Sequence, residues 1–171
     1  YAICDDRRTL VWFANQRAVD SHPTLVRPHE PDRPTHLVRA LDPPAADAFP
    51  MAVRTARAVQ QALVDTGLVG AVKTSGSKGL HIYVPVADAS FDEAAAATRA
   101  LAARAERLAP DVSTTAFIKA DRGGKVFVDA TRVGGATVVA AYSPRVRPGA
   151  PVSFPIPWDD LERITPSDFT I

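Results

Sequence analysis

The chain has 171 residues, of which 46% are hydrophobic, and its 20 basic and 19 acidic side chains give a formal net charge of +1. This length suits one domain with its own apolar core, and the composition excludes a disordered chain. The near-neutral charge excludes a global attraction to nucleic acid, so such a contact requires local clusters of Lys and Arg. The single cysteine, Cys4, excludes an internal disulfide and a cysteine-rich zinc site, and it favours a reducing cytoplasm.

The first quarter of the chain combines extended patterns with prolines. Residues 1–4 and 9–13 are predicted to be the two strands of a hairpin, because they are short apolar runs around a polar turn. The proline-rich stretch 23–34 is predicted to be a surface loop, since proline fixes the backbone and removes a hydrogen-bond donor. Residues 36–41 form a further predicted strand, which ends at Asp42-Pro43-Pro44.

Two helices are predicted where apolar residues recur at intervals of three and four. Asp47 is the expected N-cap of the first helix, and Gly67 is placed to end it. Ser90 and Glu93 have the spacing of a capping box before a second, Ala-rich helix that runs to about Leu108.

Four more strands are predicted. Residues 69–75 and 80–86 lie on either side of a turn rich in Ser, Gly and Lys. Residues 125–130 and 137–142 surround the pair Gly134-Gly135, which is typical of a hairpin.

The chain ends in the proline-rich tail 144–157, which we expect to be an ordered surface strap followed by a short helix near residues 158–161. The order of strands and helices indicates a mixed sheet with helices packed on it. No linker interrupts the sequence, so we expect residues 1–171 to form one domain. No apolar run approaches the roughly 20 residues that span a bilayer, and we expect no membrane contact.

The turn after residue 74 combines features of a phosphate-binding loop. The run Ser75-Gly-Ser-Lys-Gly79 allows a tight turn with accessible backbone N–H groups, and Lys78 adds a point charge suited to a triphosphate. His81 opens the next strand at the same end. A Ser/Gly turn with one Lys is also common in ordinary hairpins, so the turn alone leaves both interpretations open.

Two carboxylates, Asp42 and Asp129, belong to apolar strands. Because the neighbours of Asp129 are apolar, this carboxylate should be partly buried and must then be paired or bind a cation. Hard oxygen ligands on rigid strands are what Mg²⁺ or Mn²⁺ requires when it also holds substrate phosphates. The alternative is that Asp42 caps the Asp-Pro-Pro turn and that Asp129 meets an Arg.

Basic residues cluster around the second carboxylate and in the tail. They are Lys119, Arg122, Lys125, Arg132, Arg145 and Arg147. The cluster is suited to facing phosphate groups, although most Lys and Arg side chains are simply solvated. The histidines lack the spacing of a zinc site, and His29 and His36 are interpreted as exposed loop residues.

Four motifs in chain order resemble the polymerase domain of bacterial ATP-dependent end-joining DNA ligases of the ligase D type. They are Asp42-Pro43-Pro44, the run Ser75 to His81, Val126-Phe-Val-Asp129 and Tyr142-Ser-Pro-Arg145. Further similar segments extend the match over nearly all of the chain. That domain belongs to the archaeo-eukaryotic primase superfamily, so the resemblance implies an α+β fold with a mixed, mostly antiparallel sheet, packed helices and an RRM-like catalytic core.

The resemblance also implies a function: a nucleotidyltransferase that adds (ribo)nucleotides to a 3′ hydroxyl at DNA breaks. Its substrates would be nucleoside triphosphates and DNA ends with 3′ overhangs, and its partners a DNA ligase and an end-binding protein. By position, Asp42 and Asp129 would be the catalytic ligands of Mn²⁺ or Mg²⁺. The nucleotide-binding residues would be Ser75, Lys78, Gly79, His81, His22, Arg145 and Arg147. The DNA-binding residues would be Lys119, Arg122 and Lys125.

One departure from the family pattern bears on activity. The family motif Asp-Leu-Asp-Pro reads Ala40-Leu41-Asp42-Pro43 here, so the first of three metal-binding carboxylates is absent. Residues 40 and 42 share one face of a strand, which is why that spacing normally places two carboxylates on the same metals. We therefore expect an impaired transferase or, alternatively, a catalytically degenerate module that binds a nucleotide or a DNA end. Val133 replaces a usual Asn, and the family's N-terminal portion is expected to be missing from this chain.

Overall fold

The computed structural model describes residues 2–133 and 136–171, and a six-stranded sheet forms its centre. The strands of the described part are β1 (Val26–Arg27), β2 (Glu30–Pro34), β3 (His36–Asp42), β4 (Ala71–Thr74), β5 (Leu80–Pro85), β6 (Ser113–Thr114), β7 (Val126–Asp129) and β8 (Pro155–Ile156). The order in the large sheet is β6-β7-β3-β5-β4-β8, and only the β6–β7 pair is parallel. The predicted mixed, mostly antiparallel sheet is confirmed, whereas the predicted Gly134-Gly135 turn lies outside the described residues.

Three α-helices accompany the sheet in the described part of the chain: α1 (Arg7–Asn15), α2 (Phe49–Val64) and α3 (Phe91–Leu108). Short 3₁₀ helices occur at Ala46–Ala48, Lys119–Arg122, Trp158–Asp160 and Pro166–Asp168. The predicted short helix after the tail is therefore present. None of the helices in the described ranges is both long and apolar enough to cross a membrane.

The predicted hairpin at the start of the chain is wrong. Residues 9–13 belong to α1, and residues 2–5 have no regular structure. The side chain of Asp6 accepts a hydrogen bond from the Thr9 N–H at 2.7 Å, which satisfies one of the free donors at the start of the helix. None of the residues of α1 is buried, so this local cap, and not burial of the apolar run, accounts for the helix.

Two other predictions for extended or loop structure need correction. The stretch 23–34 is not only a loop, because β1 and β2 pair in it as a separate two-stranded sheet; proline is compatible with such an edge strand. Residues 137–142 do not form a strand. A single antiparallel bridge joins Thr137 to Thr24, and Tyr142, with φ of 63°, ends the extended course of the backbone.

The two long helices agree with the sequence in extent, but only one agrees in its cap. Helix α2 starts after a 3₁₀ turn that contains Asp47, and its N-cap is Ala48 without a side-chain hydrogen bond, so the predicted role of Asp47 is wrong. A proline in the first turn supplies the preset backbone angle instead. Gly67, with φ of +69°, follows the end of α2 as predicted. The capping box of Ser90 and Glu93 on α3 is confirmed.

Strand alternation divides the large sheet into two unlike faces. Helices α2 and α3 pack on one face, where they bury the apolar side chains of every second residue. These include Leu37, Leu41, Val72, Leu80, Ile82, Val84, Val126 and Val128. A small cluster of Leu25, Val38 and Val138 with Tyr83 covers one end of the opposite face. The other end of that face, near residues 40 and 42, carries polar side chains and is called the open face below.

Candidate functional site

A row of four residues crosses the open face from strand to strand. The register pairs Asp129 with Ala40, Ala40 with His81, and His81 with Lys73. Residues directly opposite each other in antiparallel strands have Cβ atoms about 4.5–5.5 Å apart. The row therefore has a carboxylate at one end and an ammonium at the other, with the methyl group of Ala40 next to the carboxylate.

Asp42 lies on the same face, two residues beyond Ala40, and two cations surround it. Its Oδ1 is 3.1 Å from Lys78 Nζ, and its Oδ2 is 3.6 Å from Arg122 Nη1. The Arg122 guanidinium also lies over the ring of Phe127, 3.9 Å from its centre. Lys78 further donates to the carbonyl of Pro43 at 2.5 Å, so the Ser/Gly/Lys turn is fastened to the end of β3.

Asp129 is only 7% exposed and is fully engaged by its own loop. Its Oδ1 accepts hydrogen bonds from the Thr131 N–H at 2.8 Å and the Thr131 hydroxyl at 2.5 Å, and its Oδ2 accepts one from Arg132 Nε at 3.1 Å. The expectation that a buried carboxylate must be paired is confirmed. Its partner is an Arg, as one of the two sequence interpretations predicted.

Asp42 and Asp129 share the open face on neighbouring strands, and Ala40 lies next to both. Asp42 and Asp129 are diagonal neighbours across β3 and β7, which places them about 7–8 Å apart at the backbone. Their oxygens are the hard ligands that Mg²⁺ or Mn²⁺ takes together with substrate phosphates. Within residues 2–133 and 136–171, no three His, Cys, Asp or Glu side chains group closely enough to hold a metal by themselves.

The glycines of the turn are required by close backbone approaches. A Cβ atom at Gly79 would lie 2.1 Å from the carbonyl oxygen of Leu41, so no side chain fits there. Gly76 has φ of +65°, and a Cβ atom there would lie 2.6 Å from Arg145 Cγ. The hydroxyl of Ser75 accepts from the backbone N–H groups of Ser77 and Gly79, both at 3.2 Å. The turn is thus held against β3 on one side and the tail on the other.

A polar chain of contacts links the turn to the segment before β1. Arg145 donates from Nη1 to the Ser75 carbonyl at 2.6 Å and from Nε to Asp20 at 2.8 Å. The second oxygen of Asp20 is 2.9 Å from Nε2 of His22. Sequence reasoning placed His22 and Arg145 together but missed Asp20, whose only signal is its position two residues before the histidine.

Lys73 is a second residue that the sequence did not single out. It is only 4% exposed, and its Nζ contacts the Ser153 hydroxyl, His81 Nδ1 at 3.2 Å and the Thr74 carbonyl at 3.4 Å. Burial, reinforced by the charge of Arg145, lowers the pKa of Lys73 to about 7. A lysine within an otherwise apolar strand was the available signal.

His81 lies among four cationic or ionisable groups. Burial lowers its pKa well below the usual value, and the nearby Lys73, Arg132, Arg145 and His22 lower it further. The imidazole is therefore neutral at pH 7. Positive charge is therefore concentrated around a neutral ring at this end of the row.

The remaining sequence-predicted residues are less central. Lys125 donates to the carbonyl of Pro110 at 2.7 Å, beyond the end of the row, and Lys119 is exposed on the same 3₁₀ turn as Arg122. Arg147 is exposed and lines a cavity together with Ser77 and Lys78 of the turn. The structure thus brings together both carboxylates, the turn, His81, His22, Arg145 and Arg122, with Arg147 next to the turn, but not Lys125.

The open face thus combines two strand carboxylates, a Ser/Gly/Lys turn and a cationic cluster. Comparison with known proteins identifies the class of protein. Residues 1–171 match the family described as "LigD, primase-polymerase domain", and the chain belongs to this family. The family resemblance and the α+β fold expected from the sequence are confirmed.

Individual relatives agree with this assignment. The chain is 31% identical to the bifunctional non-homologous end joining protein LigD of Bacillus subtilis over its whole length, which is 28% of that protein. It is 36% identical to the multifunctional non-homologous end joining DNA repair protein LigD of Mycobacterium tuberculosis, over 95% of the chain and 23% of that protein. The chain thus spans about a quarter of the length of these relatives.

A solved structure is also similar. The polymerase domain from Mycobacterium tuberculosis ligase D in complex with DNA superimposes with a TM-score of 0.86 at 36% identity. The match covers 95% of this chain and 60% of that one. The likeness in fold therefore extends over almost the whole chain.

Proposed function

We propose that this chain is the catalytic core of a repair nucleotidyltransferase that adds (ribo)nucleotides to a 3′ hydroxyl at a DNA break, and that Ala40 impairs it. The observation that carries the proposal is the row Asp129, Ala40, His81, Lys73 beside Asp42 and the Ser/Gly/Lys turn. It has carboxylates at one end and anion-binding groups at the other, as phosphoryl transfer between a nucleotide and a primer requires.

The residues at the cationic end would hold the triphosphate. Lys78, His81 and Arg145 offer donors to phosphate oxygens. The N–H groups of Ser75, Ser77 and Gly79 already bond within the turn, so the backbone donors would come from Gly76 and Lys78. His22 is positioned through Asp20 to contribute. Arg147 lines a cavity with Ser77 and Lys78 of the turn and would supply a further donor there.

The residues at the acidic end would hold Mn²⁺ or Mg²⁺ through Asp42 and Asp129. Such a metal, when bound, stabilises the attacking 3′ oxygen and the leaving phosphate. In the transfer, the 3′ oxygen forms a bond to the α-phosphorus as the bond to pyrophosphate breaks, and the hydroxyl proton is released. Lys78 and Arg122 occupy the Asp42 carboxylate, so both side chains have to withdraw from it. Arg122 would then be free to contact DNA.

Ala40 should affect nucleotide transfer but not triphosphate binding. Its methyl group replaces a ligand next to Asp129 and leaves His81 and the turn unchanged. Losing about 2.7 kcal/mol of transition-state stabilisation slows transfer about 100-fold. If Ala40 removes more transition-state stabilisation than this, the alternative function is favoured. The chain would then be a degenerate module that binds a nucleotide or a DNA end in support of end joining.

As partners we propose DNA ends with 3′ overhangs, nucleoside triphosphates, a DNA ligase and an end-binding protein, in a bacterial cytoplasm. The support is the likeness to LigD proteins named for non-homologous end joining and to a polymerase domain described in complex with DNA.

Primer extension tests the proposal on DNA with a short 3′ overhang and Mn²⁺. We expect slow extension by the natural chain and extension about 100-fold faster by Ala40→Asp. Ala40→Asn is the matched control, because it has the same shape without the carboxylate and should not gain activity.

Equal and fast extension by the natural chain and by Ala40→Asp would show that Ala40 does not impair the site. Absence of extension in both, with triphosphate binding retained in calorimetry, would establish the binding module instead. Absence of both extension and binding would remove the proposed function altogether.

A further inference from the structure

The buried Lys73 ammonium has as many acceptors as it has hydrogens. The Ser153 hydroxyl donates to the Thr74 carbonyl at 2.8 Å, which leaves its oxygen free to accept from Lys73 Nζ. The Thr74 carbonyl and His81 Nδ1 complete the set. Below its pKa of about 7, Lys73 is an ammonium group, which has three donors and no acceptor. The contacts therefore describe Lys73 as a donor to His81.

This contact determines which nitrogen of His81 carries the proton. A neutral imidazole has one N–H and one acceptor nitrogen. Because Nδ1 accepts from Lys73, the hydrogen is on Nε2. No protein group in the described ranges bonds to that Nε2, and the ring lies next to Ala40 on the open face.

We propose that Lys73 is a positioning residue that fixes His81 in the Nε2–H form, so that the ring donates a hydrogen bond to a phosphate oxygen of the nucleotide. The inference rests on the proposed function, since it names how one residue of the same site is prepared for its ligand. The neutral ring then already has its Nε2–H in place before the nucleotide binds.

Stability alone does not account for a lysine at this position. Taking an ammonium out of water is costly unless it is paired, and within residues 2–133 and 136–171 no carboxylate forms an ion pair with Lys73. The charge of Arg145 repels it, and the neutral ring of Tyr83 lies 5.7 Å from its Nζ. A Met side chain would fill similar space without this cost. Lys73 supplies hydrogen bonds to Ser153, Thr74 and His81 that Met cannot, and the bond to His81 is the one that reaches the open face.

The first test measures the tautomer directly by ¹⁵N–¹H NMR of the histidine rings at pH 6.5, where Lys73 is mostly protonated and the His81 ring is still neutral. We expect His81 of the natural chain to show a protonated Nε2 and an unprotonated Nδ1. Lys73→Met should lose this preference and give a mixture, whereas Lys73→Arg, which retains a charged donor, should keep it. A protonated Nδ1 in the natural chain overturns the proposal, and this measurement does not depend on how any variant folds.

The second test measures binding of ATP by calorimetry, with thermal unfolding to verify that each variant is folded. We expect Lys73→Met to bind about tenfold more weakly, as for the loss of one hydrogen bond to a charged group, and Lys73→Arg to recover most of the affinity. Arg33→Met is the control, because Arg33 is an exposed cation paired with Asp88 far from the row.

The two tests distinguish failure of the positioning role of Lys73 from failure of the proposed function. Unchanged affinity and an unchanged tautomer in Lys73→Met overturn the positioning role and leave the proposed function intact. Absence of ATP binding by the natural chain, with His81 in the Nε2–H form, contradicts the proposed function while the tautomer assignment stands.

Discussion

The two faces of β3 follow opposite rules, and each face contains one residue that breaks its rule. On the helix face Leu37 and Leu41 are buried in the core, but Arg39 lies between them. On the open face Asp42 is polar, but Ala40 occupies the position beside the second carboxylate. The two exceptions are adjacent in sequence: Arg39 places a charge in the core, and Ala40 places a methyl group in the site.

The helix face of β3 determines stability, and the open face determines chemistry. Arg39 is 1% exposed, its Nη2 donates to the Thr98 carbonyl, and its Nε and Nη1 have no partner in the described part of the chain. Burial lowers its pKa to about 9, against the opposing effect of Asp129. We therefore expect Arg39 to cost stability. Ala40 is accepted by any strand, so its cost falls on chemistry alone.

The largest effects should come from adjacent residues on opposite faces. Leu41→Ala removes a core side chain and should lower the free energy of unfolding by about 2–5 kcal/mol. Asp42→Asn should change it by no more than about 0.5 kcal/mol, yet abolish the remaining primer extension. Urea unfolding measures the first quantity. A comparable loss of stability in Asp42→Asn would show that the ion pairs of the open face hold the fold.

The next largest effect concerns Arg39. Arg39→Leu replaces a buried charge between two leucines and should raise the free energy of unfolding by about 1–4 kcal/mol. Arg54→Leu is the matched control, because Arg54 is an exposed residue of α2 paired with Asp111 and should change stability little. Thermal and urea unfolding provide the measurement. A destabilised Arg39→Leu variant would mean that attraction to Asp129 through the sheet outweighs desolvation.

The parts of the fold that could be predicted are those specified by local pattern. Helix α2 and strands β3 and β5 follow from the periodicity of buried residues, and the start of α3 follows from its capping box. The turn and Asp42 were predictable because a motif of adjacent residues defines them. In each case residues close in sequence contain the information.

The parts that could not be predicted depend on distant partners or on competing local effects. Helix α1 contains a short apolar run, Leu10 to Phe13, that suggests a strand, but the cap from Asp6 to Thr9 starts a helix there. Lys73 acquires its role from Ser153, 80 residues away. Asp20 likewise meets Arg145 across 125 residues. Nothing in a local pattern indicates such contacts, because they exist only after the tail has crossed the sheet.

The smallest effect concerns Lys78, which joins the turn to the acidic strand. Its ion pair with Asp42 joins side chains that are 34% and 47% exposed, and exposed pairs contribute little to stability. Lys78→Ala should therefore leave the unfolding transition almost unchanged. Its ammonium is nevertheless the positive charge of the turn itself, so we expect about tenfold weaker ATP binding in calorimetry. Unchanged affinity with reduced stability would mean that Lys78 only stabilises the contact between the turn and β3. The phosphate contacts of the open face would then come from His81, Arg145 and the turn backbone.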